Sequence, residues 1–145
     1  MGFVRARFRV EGNRNAYEGH ALVDTGACYT VIDVTLADKI GVRYTGLQHV
    51  ITSFSGHRIE GREAIVALLE VEGRRAPSEL LVVCRFPDSV RTLLHQHDAC
   101  DALVLGVHTL QRVHLVVDPT THQLVEAPGT LMLSLCLLYT SDAAD

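Results

Sequence analysis

The sequence has no tryptophan, few cysteines and no long apolar run, and the last two features each exclude a class of protein. No two of the four cysteines have CxxC spacing, so neither a zinc site nor a disulfide framework is expected. We interpret Cys28, Cys84 and Cys100 as buried thiols. The longest apolar run, residues 131–139, is interrupted by Ser134 and is too short to span a bilayer.

The sequence also lacks an excess of basic residues. Its formal net charge is -4, whereas binding to a phosphate backbone needs a concentration of Lys and Arg. The one basic run, Arg5, Arg7 and Arg9, alternates with apolar residues, as in a half-buried strand. No basic segment followed by an apolar core opens the chain, so no secretory signal is predicted. We expect a cytoplasmic protein that binds neither nucleic acid nor a membrane.

The length suits one domain with its own apolar core, because the chain has 145 residues. We assign this domain to residues 1–135. Residues 136–145 resemble a translated sequencing adapter, so we expect them to lie outside the fold. Their deletion is expected to preserve or improve solubility.

Short apolar or alternating runs, separated by turn-forming residues, indicate an all-β barrel or sandwich. Strands are predicted at residues 2–10, 17–23, 28–32, 47–54, 58–71, 78–84, 102–105, 115–117, 124–126 and 131–133. Two short helices are predicted, one at residues 34–40 between Asp33 as N-cap and the terminating Gly41, and one at residues 107–113. Residues 86–101 are predicted to form the longest loop.

One internal similarity links two distant segments. Residues 21–26 resemble residues 102–107, since each is an aliphatic run that enters a glycine-bearing turn and then a helical segment. A fold with approximate two-fold internal symmetry would produce such a pair.

The feature with the clearest chemical meaning is a single carboxylate that follows an aliphatic run. Leu22 and Val23 precede Asp24, Thr25 and Gly26. The apolar run places the carboxylate at the end of a buried strand, where it is poorly solvated. Glycine permits a tight turn at this point, and the threonine hydroxyl is able to form a hydrogen bond across a symmetric interface.

These residues resemble the active-site segment of the retropepsin-like (clan AA) aspartic proteases, particularly the short prokaryotic members. The likeness covers residues 3–133 in order. Residues 24–27 match the catalytic segment, residues 50–61 match the hairpin that covers the substrate, and residues 103–106 match an aliphatic-glycine element of the cleft. The resemblance implies a closed acid-protease barrel with one or two short helices, assembled as an obligate homodimer.

The resemblance implies an aspartic endopeptidase that needs no metal or other cofactor. Two Asp24 carboxylates, one from each chain, would share one proton and activate a water molecule for attack on a peptide bond. Thr25 and Gly26 would complete the catalytic segment. Activity is expected to follow a bell-shaped pH profile on the acidic side of neutrality. The residues beyond Glu126 are expected to contribute to the dimer interface.

The resemblance also implies a cleft that binds an extended segment of a peptide or protein substrate. Leu22, Val31 and Val104 are expected to line the subsites beside the scissile bond, so cleavage should favour apolar residues there. The expected substrate-binding residues are Leu22, Ala27, Val31, Ser53, Phe54, Ser55, Gly56, Val104 and Gly106.

Three other interpretations remain open. His95, His97, Asp98 and Cys100 combine ligand types that suit zinc, although the loop character of this stretch favours solvent-exposed histidines. A Cys28 nucleophile with a histidine base has no local sequence signature. The third is a non-catalytic dimeric β-barrel, an inactive or truncated protease homologue that binds extended peptides without cutting them.

Overall fold

The computed structural model describes residues 3–52 and 56–127. Within these ranges the chain forms nine strands and three helices. The strands are β1 (Val4–Glu11), β2 (Ala16–Val23), β3 (Val31–Asp33), β4 (Arg43–Thr52), β5 (Arg58–Val71), β6 (Arg74–Cys84), β7 (Leu103–Leu105), β8 (Leu115–Asp118) and β9 (Gln123–Glu126). The helices are α1 (Val34–Ile40), α2 (Asp88–Gln96) and α3 (Val107–Arg112).

Six of the strands close into a barrel in the order β1-β2-β7-β3-β6-β5, because β1 pairs with both β2 and β5. The pairing is mixed, since β2 with β7 and β3 with β6 are parallel and the other pairs are antiparallel. Strand β4 extends the sheet beyond β5, and β8 with β9 forms a separate hairpin. The predicted all-β closed barrel is therefore confirmed.

Strand β1 shows how the alternating sequence builds the core. Val4, Ala6, Phe8 and Val10 are all buried, whereas the arginines between them point outward. Each large apolar side chain removed from water in this way contributes about 1.5–3 kcal/mol. The same period-two alternation confirms that the basic run is the solvated face of a strand.

The two predicted helices are present. Asp33 accepts a hydrogen bond from the Thr35 backbone N–H at 3.0 Å and so caps α1. The helix ends at Gly41, whose φ of 80° suits a residue without a side chain. Helix α3 follows Gly106 directly.

The prediction of a long loop at residues 86–101 is wrong, because α2 occupies most of this stretch. Val90 and Leu94 lie one helical turn apart and are both buried. Arg91, between them in sequence, forms an ion pair with Asp33 at 2.9 Å. These tertiary contacts stabilise a helix whose local sequence is too polar to predict it. The described residues thus contain three short helices, rather than one or two.

A second difference concerns the residues before β3. The predicted strand at residues 28–32 begins only at Val31, and the preceding residues form an irregular loop. Cys28 is consequently exposed instead of buried, while Cys84 is buried and Cys100 is half-buried. The predicted strand at residues 131–133 and the adapter-like segment lie outside the described residues. No helix in the described part of the chain has the length and apolarity needed to cross a membrane.

Candidate active site

Asp24 follows the last residue of β2 and begins a loop, residues 24–30, that we call the Asp24 loop. The Asp24 side chain is half-buried, and its Oδ1 accepts a hydrogen bond from the Gly26 N–H at 2.9 Å. The Asp24 carbonyl also accepts one from the Ala27 N–H at 3.1 Å. Thr25 and Gly26 remain exposed. The turn therefore fixes the carboxylate while it leaves the two following residues accessible.

The segment from β7 into α3 holds this loop from the inside. The Asp24 N–H donates to the Leu105 carbonyl at 2.9 Å. Farther along, the Val107 N–H donates to the Ala27 carbonyl at 2.8 Å, and the His108 N–H donates to the Cys28 carbonyl at 2.9 Å. The two segments that resemble each other in sequence thus lie side by side, and the second supports the first.

Gly106 is the closest contact between the two segments. A Cβ atom there would lie 2.4 Å from the backbone carbonyl atoms of Tyr29, so only glycine fits. The Gly106 N–H donates to Thr30 Oγ1 at 3.1 Å, and this hydroxyl lies 2.7 Å from Thr109 Oγ1 in a buried pair. Gly106 is buried, which differs from its expected place among the substrate-binding residues. It supports the Asp24 loop from below.

An apolar cleft opens beside Asp24. Its walls come from the Asp24 loop, from β7, from the β4–β5 hairpin and from the segment that leads into α2. The lining residues are Asp24, Ala27, Val31, Ile51, Thr52, Ile59, Cys84, Phe86, Pro87, Val90 and Val104. Within the described part of the chain, Asp24 is the one carboxylate in this lining.

The cleft brings together some of the residues that the sequence predicts to bind substrate. Ala27, Val31 and Val104 line it with Asp24. Leu22 does not, because its side chain has 0% exposure and packs in the apolar cluster that includes Val104. Gly56 is exposed with a φ of 84°, as expected for the turn of the β4–β5 hairpin. Residues 53–55, which include Ser53, Phe54 and Ser55, lie outside the described residues.

Two parts of the cleft wall were missed by sequence analysis. Phe86, Pro87 and Val90 come from the stretch that was predicted as a loop. Ile51 and Ile59 face each other across the β4–β5 hairpin. The signal for the first group is weak, since it consists of the one-turn spacing of Val90 and the buried Leu94. The signal for the second is the apolar pair on either side of a predicted turn.

Asp33 ties the α2 side of the cleft to the core. Its side chain is 1% exposed and accepts hydrogen bonds from the Phe86 N–H at 2.8 Å and the Thr35 N–H. Burial alone would raise the pKa of Asp33, but these two bonds and the Arg91 guanidinium together hold it below its usual range. The carboxylate is therefore ionised at neutral pH and anchors the start of α2.

Neither the thiol in the cleft nor the histidines near α2 form a second reactive group. Burial raises the pKa of Cys84 to about 12, so its thiol is neutral and lines the cleft as an apolar surface. His95 lies 2.9 Å from Asp101, and the His97 ring packs on Phe3 at 4.2 Å. Over residues 3–52 and 56–127, no cluster of three or more His, Cys, Asp or Glu side chains is placed to hold a metal ion.

Comparisons with known proteins agree with this geometry. The family model described as aspartyl protease matches residues 6–109. No curated protein matches the chain. Among solved structures, the retroviral protease-like domain of Ddi1 from Leishmania major is similar, with a TM-score of 0.53 and 15% sequence identity over 87% of this chain and 89% of that chain. This likeness shows the fold and confirms the expected retropepsin-like barrel. The family match spans most of the chain, which therefore belongs to the aspartyl protease family.

Proposed function

We propose that the chain is an aspartic endopeptidase whose active site forms between two identical chains. The observation that carries this proposal is the apolar cleft with Asp24 as its single described carboxylate. Aspartic-protease chemistry requires two carboxylates that share one proton. A second copy of Asp24, brought in by a two-fold axis, supplies the missing group.

The exposed side of the Asp24 loop supports assembly around this residue. The loop is held from the inside by the β7–α3 segment, whereas Thr25 and Gly26 are exposed. An exposed hydroxyl beside the carboxylate is able to donate to or accept from the same residue of a second chain. The resemblance to the catalytic segment of retropepsin-like proteases supports a two-fold axis beside this loop.

The proposed reaction uses the two Asp24 carboxyl groups in different protonation states. The ionised carboxylate takes a proton from a water molecule as the water oxygen attacks the peptide carbonyl carbon. The protonated carboxyl donates its proton to the carbonyl oxygen. Collapse of the tetrahedral intermediate then breaks the C–N bond and transfers a proton to the leaving amine. The dyad titrates as a unit, so activity rises and falls with pH on the acidic side of neutrality.

The cleft lining supports an apolar specificity. Val31, Val104, Ile51, Ile59 and Val90 all contribute aliphatic surface. An extended peptide held against this surface should place apolar side chains on both sides of the bond that is cut. Cleavage of a peptide library measures the preference directly, and selection of charged residues on both sides of the bond would contradict it.

Mixed dimers test the shared active site. Equal amounts of wild type and Asp24→Asn are refolded together, and subunit exchange is verified with an affinity tag on one form. About a quarter of the dimers then hold two carboxylates, so activity per wild-type chain falls to roughly half. Unchanged activity per wild-type chain would exclude the shared site.

A transition-state analogue separates catalysis from binding alone. An unstructured protein is incubated with wild type, with and without an aspartic-protease transition-state analogue. The endopeptidase predicts cleavage that the analogue blocks. A chain that binds the unstructured protein and leaves it intact across the acidic range would be a peptide-binding module, and the proposed reaction would be wrong.

A further inference from the structure

A polar cluster outside the cleft joins the base of the β4–β5 hairpin to the Asp24 loop. Its centre is Glu63 on β5, a carboxylate that is 7% exposed as a residue. Glu63 Oε2 lies 2.8 Å from His49 Nε2, and Glu63 Oε1 accepts a hydrogen bond from Thr45 Oγ1 at 2.9 Å. Both partners are on β4, so the carboxylate connects the two strands of the hairpin.

The Asp24 loop contacts this cluster through Tyr29. The Tyr29 ring packs edge-on against the His49 ring at 5.0 Å and against the His108 ring of α3 at 5.1 Å. Its backbone is the part of the loop that packs against Gly106. A continuous set of contacts therefore runs from α3, through the loop that carries Asp24, to the strand pair that leads to the hairpin turn.

We propose that His49 and Glu63 are positioning residues that hold the base of the β4–β5 hairpin against the Asp24 loop through Tyr29. Neither side chain lines the cleft, so both act through the elements that they join. The effect on catalysis rests on the proposed function, while the effect on the hairpin does not.

The charges around the cluster define its pH range. The hydrogen bond from His49, and then that from Thr45, holds the pKa of Glu63 below its usual range. A carboxylate whose pKa is lowered in the folded state contributes stability that is lost as pH falls through that pKa. The contact is therefore weakened when Glu63 gains a proton in acid.

Other ionisable groups lie near the pair formed by His49 and Glu63. Tyr29 faces His49 from the loop, and His108 faces Tyr29 from α3. The Arg62 guanidinium lines the same surface hollow as Glu63, but it stacks 3.6 Å above the Tyr44 ring. The contact that joins the two strands most directly is the one between His49 and Glu63, because the His49 nitrogen meets the carboxylate.

Amide hydrogen exchange in an Asp24→Asn background tests the proposal without any need for activity. Exchange of the β4 and β5 amides is measured near neutral pH, corrected for intrinsic rates and compared with β6 amides in the same sample. His49→Gln removes the ring that meets both Glu63 and Tyr29, so it should open the hairpin roughly threefold more often than in the parent chain.

The control is His95→Gln, at a histidine on α2 that pairs with Asp101 and does not contact Glu63. It should leave hairpin opening as in the parent chain. The proposal is overturned if His49→Gln opens the hairpin no more often than the parent chain does.

Kinetics then tests whether the contact serves catalysis. If the wild type cleaves peptides, His49→Gln should raise KM about threefold at acidic pH and leave kcat nearly unchanged. Tyr29→Ala, which removes the ring between His49 and His108, should also raise KM. Equal KM values in all variants would contradict a positioning role. A chain that cleaves nothing at any pH would refute the proposed function, and the exchange result would still decide the hairpin contact.

Discussion

Two segments at the centre of the barrel, residues 21–27 and 102–108, are built on the same plan and differ in their exposure. Each is an aliphatic strand that enters a turn containing glycine, and the two strands are parallel neighbours, with Leu22 opposite Val104. The first turn holds Asp24 and is exposed at the next two residues. The second turn is buried at Gly106 and presses against the first.

The difference in exposure suits the first segment to a chemical role and the second to a supporting role. A carboxylate is useful for catalysis where substrate and a partner chain are able to reach it, and the exposed turn meets that condition. The buried turn offers no reactive group, but its backbone donors and its lack of a side chain fix the position of the other loop. Substitutions in the first segment should therefore reduce activity, and substitutions in the second should reduce stability.

The largest expected effect is the loss of activity in Asp24→Asn. Asparagine retains the oxygen that accepts from the Gly26 N–H, so the fold is preserved, but it is unable to act as an acid or base. Peptide cleavage should fall at least about a thousandfold. Cleavage assays and thermal unfolding check both parts. Asp38→Asn, at an exposed position on α1, is the control and should remain fully active. Activity within tenfold of wild type in pure Asp24→Asn would remove Asp24 from the mechanism.

Alanine substitutions at Gly106 and Gly26 test the difference between the two segments. Gly106→Ala places a methyl group against the Tyr29 backbone and should lower the free energy of unfolding by about 3 kcal/mol. A Cβ atom at Gly26 would meet only Asp24 Oδ1, at 3.2 Å. Gly26→Ala should therefore lower the free energy of unfolding by less than about 1 kcal/mol. It should also displace the carboxylate and reduce activity. Urea unfolding and peptide cleavage measure the two effects. Equal losses of stability would break the distinction between the segments.

The buried hydroxyl pair gives a smaller effect. Thr30→Val removes the acceptor of the Gly106 N–H and the partner of Thr109, which should lower the free energy of unfolding by about 2 kcal/mol. Thr109→Val leaves the Gly106 bond in place and should lower it by about 1 kcal/mol. Chemical denaturation of both variants tests this order. A smaller loss in Thr30→Val than in Thr109→Val would show that the Gly106 bond contributes little.

The smallest expected effect lies outside both segments, at Arg91. Arg91→Gln removes one of three donors to Asp33 and should lower the free energy of unfolding by about 1 kcal/mol at neutral pH. The pKa of Asp33 would rise toward its usual value. Because a carboxylate with a lowered pKa contributes stability that is lost as pH falls through that pKa, the acid loss should begin at a higher pH in the variant.

Urea unfolding from neutral to strongly acidic pH measures the position of this acid loss. Arg75→Gln is the matched control, since it breaks a pair between the exposed Arg75 and the half-buried Glu70 and should change little. Coincident pH profiles for wild type and Arg91→Gln would show that the guanidinium does not stabilise the ionised form of Asp33.

The barrel and the Asp24 loop were predictable because the sequence patterns that specify them are local. Alternation in β1, the cap at Asp33 and the aliphatic run into Asp24 each specify an element within a few residues. Helix α2 was not predictable, because its stability comes from Leu94 in the core and from an ion pair with Asp33, far away in sequence. Leu22 was assigned to the cleft by resemblance, but a residue's depth within a barrel wall depends on neighbours that a linear pattern does not specify.

Asp33 connects two parts of the molecule that could otherwise change independently. The carboxylate caps α1 and also receives the Phe86 N–H at the start of the α2 wall. The cleft thus combines a half that carries Asp24, fixed by backbone hydrogen bonds to residues 105–108, with an α2 half for which Asp33 is a buried anchor. Replacing Val90 or Phe86 on the cleft side of that anchor offers a route by which evolution or protein engineering can alter substrate preference while the Asp24 loop stays intact.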